Sequence, residues 1–194
     1  MTPGAEAITA AIREWQAHAG AGRQAGAGRQ AGAGRQAGAG RQAGAGRQAG
    51  DQLVVAIDGH GAAGKTTIAR EVAGALAAEL IATDSRLRYP PAPSSDRRPL
   101  AAYYDWAALR RDALEPALAS GALLVIVEGV SAASPALADL VTHAVLVDTP
   151  EPIRLARLRG RIDPADWDET WLAAEREYFA SRLPAGFDLV VPGS

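Results

Sequence analysis

The chain has no cysteine and no asparagine, and it holds one methionine and one lysine among its 194 residues. Without cysteine there is no disulfide framework and no thiolate metal site. Without asparagine there is no N-K-x-D element for reading a guanine base. No apolar run approaches the ~20 residues that a membrane-spanning helix needs. The first residues carry Glu6 and Glu14 and lack the basic-then-apolar layout of a secretory signal. These absences lead to the expectation of a soluble, cytoplasmic protein with no membrane partner. The formal net charge of −2 argues neither for nor against nucleic acid.

Alanine, glycine and arginine are abundant instead. Residues 19–50 read AGAGRQ five times and then AG. This segment has no large apolar side chain and cannot bury a core, so a disordered linker is expected. Its arginines are sparse and no aromatic is interleaved to stack on bases, so no nucleic-acid partner is expected. Residues 1–18 precede it as a short helix, with Ile8, Ile12 and Trp15 at helical spacing and ready to pack. Residues 51–194 follow as the globular unit.

The stretch that organises this unit is LVVAIDGHGAAGKTT, from Leu53 to Thr67. Leu53 to Ile57 reads as a buried parallel strand. Gly59 to Thr66 follows with the spacing G-x-x-x-x-G-K-T, a phosphate-binding loop. Gly59, Gly61 and Gly64 let the backbone bend and approach a ligand. The N–H groups of Gly59, His60, Gly61, Ala62, Ala63 and Gly64, and those of the helix start at Lys65, Thr66 and Thr67, can then face an anion. Lys65 supplies a point charge to the β- and γ-phosphates, and the Thr66 hydroxyl can coordinate Mg²⁺. Every other basic residue is arginine. The lone lysine therefore suggests a cradle that rejects a planar guanidinium.

Beyond the loop, apolar strands alternate with helical patterns. Helices are expected over 66–80, 105–120, 135–140, 151–159 and 166–180, and strands over 80–83, 123–127, 144–147 and 189–191. Tyr89 to Pro99 reads as a polar, proline-rich loop. Trp167, Trp171, Ala174 and Tyr178 form a stripe at helical spacing and read as core packing. Such alternation implies an α/β fold, a P-loop NTPase with a five-stranded parallel sheet and helices on both faces. Ligands of these sheets sit at the carboxyl ends of the strands.

Three further positions at strand ends carry chemistry. Asp84, after the second strand, either takes the proton of an acceptor hydroxyl or serves as a turn residue. Glu128, after the third, either holds Mg²⁺ or sits in a turn. Arg154, Arg157 and Arg161 fall on one helical face, either converging on phosphates or forming a solvated basic surface. Asp105 either caps the helix that it precedes or lines an acceptor pocket with Tyr104.

Taken together these residues resemble the uridine kinase family of P-loop nucleoside kinases, from about Val54 to Pro192. AIDGHGAAGKTT is similar to its phosphate loop. Asp84-Ser85 followed by Arg88 resembles its D-S-F-Y-R element, LLVIVEGV its Mg²⁺-associated strand, LVDTPEPIRLARLRGRID its arginine-rich lid, and FDLVVPGS its final strand. The resemblance implies ATP and Mg²⁺ as cofactors and a nucleoside-like small molecule as acceptor. It makes Asp84 the base, Glu128 a Mg²⁺ residue, Arg157 and Arg161 catalytic lid arginines with Arg154 on the nucleotide, and Arg88, Tyr104 and Asp105 acceptor-side residues. The chain departs from the family at Arg86 and Leu87, where the family has Phe-Tyr. It departs again at Ser120 to Ala122, where the family has a longer segment. Two other readings remain beside a kinase: a P-loop hydrolase or switch with no acceptor, and a binding module that holds ATP without chemistry.

Overall fold

The computed structural model describes residues 1–27, 52–87, 98–161, 169–183 and 186–194. The arginine-glycine repeat beyond Ala27, the Tyr89–Pro99 loop up to residue 97, Arg88 and Trp167 therefore lie outside the described residues. Five strands form one parallel sheet in the order β2-β3-β1-β4-β5. They are β1 (Leu53–Asp58), β2 (Glu79–Ala82), β3 (Leu124–Glu128), β4 (His143–Asp148) and β5 (Leu189–Pro192). The helices are α1 (Pro3–Ala27), α2 (Lys65–Leu76), α3 (Trp106–Leu109), α4 (Glu115–Ala119), α5 (Glu151–Arg159) and α6 (Glu169–Arg182). This is the expected α/β architecture with its five-stranded parallel sheet.

Every residue of β1 and of β3 is buried, as expected for strands covered on both faces. Alternation sorts their side chains. Val55 and Ile57 pack into a core with Leu124 and Ile126, under α1 and α2. Val54 and Ala56 pack into a second core with Val125 and Val127, against Leu109, Leu114 and Ala117. A third cluster, with Tyr103, Tyr104, Leu146 and Phe179, closes the carboxyl end of the sheet.

Several element ends differ from expectation for physical reasons. α1 runs to Ala27, nine residues into the repeat, rather than stopping at His18. Alanine, arginine and glutamine are all strong helix formers, and here they carry the helix past the first glycines. α2 stops at Leu76 because Ala77 turns left-handed (φ 50°) and returns its N–H to Ala73 O, which frees Glu79 to start β2. The helix expected over 105–120 forms as α3 and α4 joined by a π turn at Arg110–Leu114. Pro116 has no N–H to give and crowds the carbonyl four residues back, so the helix widens just before it.

α1 is part of the core. Ala5, Ile8 and Ile12 are fully buried, and Trp15 stacks on His143 with ring centroids 4.0 Å apart. The Thr2 backbone N–H and hydroxyl donate to Glu71 on α2, at 2.6 and 3.1 Å. Among the described residues no helix is long and apolar enough to cross a membrane. Ile12→Ala is expected to lower unfolding free energy by about 2–5 kcal/mol, read from urea melts.

Candidate active site

The loop from Gly59 to Thr66 leaves the end of β1 and enters α2 at the carboxyl edge of the sheet. Gly59 (φ 148°) and Gly64 (φ 97°) occupy backbone regions that favour glycine. A side chain on Gly59 would collide with Val147 O, and one on Gly64 would stand 2.6 Å from Ser194 Oγ. The loop carbonyls are held by side chains. Thr149 Oγ1 donates to Ala63 O at 2.9 Å, Arg157 to Ala62 O at 3.1 Å, and Lys65 Nζ to His60 O at 2.8 Å.

Lys65 is buried, and Asp58, Glu175, Glu128 and Asp84 all act on its charge. Burial pushes its ammonium pKa down, and those four carboxylates oppose that shift in that order. The Thr66 hydroxyl donates to both oxygens of Glu128, at 3.2 and 3.1 Å. Register puts Glu128 beside Ile57 on one side and Ala82 on the other. Asp84, two residues beyond Ala82 in a short 3₁₀ turn, is exposed at the same edge. Lys65, Thr66, Glu128 and Asp84 are thus brought together, with Arg157 reaching the loop from α5.

The remaining candidates divide. Arg154 is buried and its Nε donates to Thr149 O at 3.1 Å, so it braces the segment after β4. Arg161 is exposed in the turn after α5, and among the described residues its side chain makes no hydrogen bond to the loop. Thr67 lies exposed on the first turn of α2. Asp105 caps α3, accepting from Ala108 N at 3.0 Å. Tyr104 is buried with its ring against Trp106, and the Thr83 side chain acts on its hydroxyl. Burial, followed by Asp84, Asp58 and Glu175, drives its hydroxyl pKa far up, so it stays protonated.

Two residues of the site escaped sequence reasoning. Asp58, wholly buried at the end of β1, accepts from Gly59 N, Ser131 N and Ala133 N at 2.7, 2.8 and 3.0 Å, and from the Tyr178 hydroxyl at 2.8 Å. Burial raises its carboxyl pKa against these donors. Glu175 on α6 accepts from Gly61 N at 3.1 and 3.2 Å, from Trp171 Nε1 at 2.7 Å, and meets His60 Nδ1 at 3.2 Å. The stripe expected to be core packing does pack there: Ala174 is core, and Trp171 and Tyr178 lie against it while turning their polar ends to these carboxylates. The available signal was Glu175 itself, four residues after Trp171 and three before Tyr178, on the face read as buried.

Thr66 and Glu128 offer hard oxygen donors suited to Mg²⁺. Among the described residues no group of three His, Cys, Asp or Glu could hold a metal alone. Mg²⁺ takes one or two protein oxygens and completes its shell with phosphate and water, and the Thr66 and Glu128 oxygens could serve as those two.

No protein-family model matches the chain, and no curated protein sequence matches it. Solved structures do. A protein provisionally assigned as a fructose transport system kinase, from Silicibacter sp. TM1040, superposes with TM-score 0.54 at 22% identity, over 73% of this chain and 90% of its own. A possible uridine kinase from Bacillus stearothermophilus gives TM-score 0.52 at 17% identity, over 78% of this chain and 91% of its own. The fold is that of a P-loop kinase.

Within this fold the Glu128 carboxyl has a raised pKa, chiefly from burial, opposed by Lys65 and then Thr66. The native state then holds a proton that the unfolded chain releases near 4.5. Its stabilising contribution is full below that value and is lost as pH rises through the raised native value. Glu128→Gln should therefore flatten the fall in stability between acid and neutral pH, read from urea melts at several pH values.

Proposed function

We propose that the chain is a cytoplasmic, ATP-dependent kinase acting on a small hydroxyl-bearing acceptor, with a nucleoside as the first candidate. The observation that carries this reading is the Thr66–Glu128 contact beside Lys65. It places a hydroxyl, a carboxylate and an ammonium around one glycine loop, with Asp84 exposed on the neighbouring strand end. Lys65 and the loop amides hold the phosphates, Arg154 supports them by bracing the segment after β4, and Thr66 and Glu128 would hold Mg²⁺, which would neutralise phosphate charge. Asp84 accepts the proton of the acceptor hydroxyl. The freed oxygen bonds to the terminal phosphorus as the bond to the bridging oxygen breaks. Arg157 and Arg161 offset the charge that develops.

The nucleoside acceptor rests on the resemblance of Asp84, Arg88, Tyr104 and Asp105 to the acceptor side of the uridine kinases. The possible uridine kinase among the structural relatives agrees with it. ATP consumption against a panel of nucleosides, nucleotides and small vitamins tests it. A hydrolase or switch would turn over ATP equally with no acceptor present. Lys65→Ala should lose nucleotide-dependent thermal stabilisation. Asp84→Asn should keep that stabilisation while transfer falls by about 10²-fold or more, as for loss of a general base. Transfer by Asp84→Asn at the wild-type rate would remove Asp84 from this role.

In this reading residues 51–194 are the catalytic unit with α1 packed on it, and residues 19–50, whose first nine residues extend α1, connect the two. Trp15 stacks on His143, and His143 pairs with Val55 in the sheet, so α1 passes close to the start of β1. Deletion of residues 19–50 should leave acceptor phosphorylation within about twofold of wild type, as tolerated loop changes do. Loss of a binding partner without loss of catalysis would instead mark the repeat as an interaction element.

A further inference from the structure

Glu175 has a place in the loop that phosphate binding does not explain. Its two oxygens take the Gly61 N–H, one of the amides that a phosphate loop offers to its ligand. Gly61 is not in a left-handed conformation, so its backbone does not demand glycine. A Cβ there would stand 3.1 Å from Glu175 Oε1, so the missing side chain is what lets an anion approach. The carboxylate is 1% exposed and lies within the field of Lys65. Burial raises its pKa, but the His60 ring, Lys65 and the Gly61 amide together outweigh that and hold it below the usual glutamate value. It is therefore charged at neutral pH.

We infer that Glu175 is an internal anion that competes with the donor polyphosphate for the Gly61 amide, and that phosphate entry displaces it together with its Trp171 partner. The inference rests on the reading of Gly59–Thr66 as a phosphate site. One N–H cannot serve a carboxylate and a phosphate at once, and two anions side by side beside Lys65 repel. Tying the carboxylate to Trp171 Nε1 makes α6 the element that registers occupancy. Trp171 also meets Tyr103 edge-on at 5.1 Å and Tyr104 at 6.2 Å, so a shift of α6 reaches the tyrosines on the acceptor side. Glu175 touches no reacting atom and is a positioning residue that sets donor affinity.

The test is calorimetric titration of magnesium tripolyphosphate, MgATP and MgGTP into the full-length wild type and Glu175→Gln. Tryptophan fluorescence of the wild type and Trp171→Phe is recorded alongside. Glutamine keeps the shape and an acceptor oxygen but removes the charge. Glu175→Gln should bind the triphosphates about tenfold more tightly, the gain expected from relieving one close like-charge contact. A purely structural role would not tighten binding. Wild-type binding should also change the emission component that Trp171→Phe lacks. Equal or weaker binding by Glu175→Gln overturns the inference and leaves the phosphate-loop reading standing. If Glu175→Gln does not fold, the wild-type fluorescence decides. A ligand-dependent Trp171 change supports displacement, and measurable heat without that change overturns it. No heat from either protein with any triphosphate overturns the phosphate-loop reading, and this inference with it.

Discussion

One buried ammonium group governs the carboxyl edge of this sheet. A cation taken out of water must be compensated nearby, and Lys65 has Asp58, Glu175, Glu128 and Asp84 acting on it. They come from β1, α6, β3 and the turn after β2, so neutralising one charge gathers four separate parts of the chain. The same carboxylates are fixed by other work. Asp58 ties the loop entrance to the segment after β3 and to α6, while Glu128 takes the Thr66 hydroxyl. Neither the loop nor its surroundings would hold this shape alone.

The sheet was legible because its strands are near-continuous apolar runs spaced by helical patterns, and the loop because its glycines, lysine and threonine keep a fixed spacing. Glu128 was legible as the single acid closing LLVIV, and Arg157 from its place on a helical face beside the strand that precedes it. Asp58 and Glu175 were not. An acid directly after an apolar strand reads as the start of a turn, and Glu175 stands beside a stripe that reads as core packing. Their importance comes from tertiary neighbours, Ser131, Ala133 and Gly61, that no local pattern brings near. Asp105 had two readings of equal standing, and the cap geometry at Ala108 shows what it does in the folded chain.

The proposed donor and acceptor sides are built differently. The donor side is mostly backbone, a bent loop pinned through its carbonyls by Thr149, Arg157 and Lys65. The proposed acceptor side is mostly aromatic: Tyr103, Tyr104, Trp106 and Trp171 lie against one another. Backbone tolerates little variation without strain, whereas packed rings can exchange shapes within one volume.

The strand order carries a kinetic consequence. β1, which delivers the loop, sits at the centre of the sheet between β3 and β4, and both arrive much later in the chain. Leu53 finds its first ladder partner only at Leu124, with all of α2, β2, α3 and α4 between them. Pairings so distant along the sequence slow the search for the native topology. During synthesis the glycine loop therefore emerges long before the strands that shape it, and until β3 and β4 leave the ribosome it remains an unorganised segment of nascent chain.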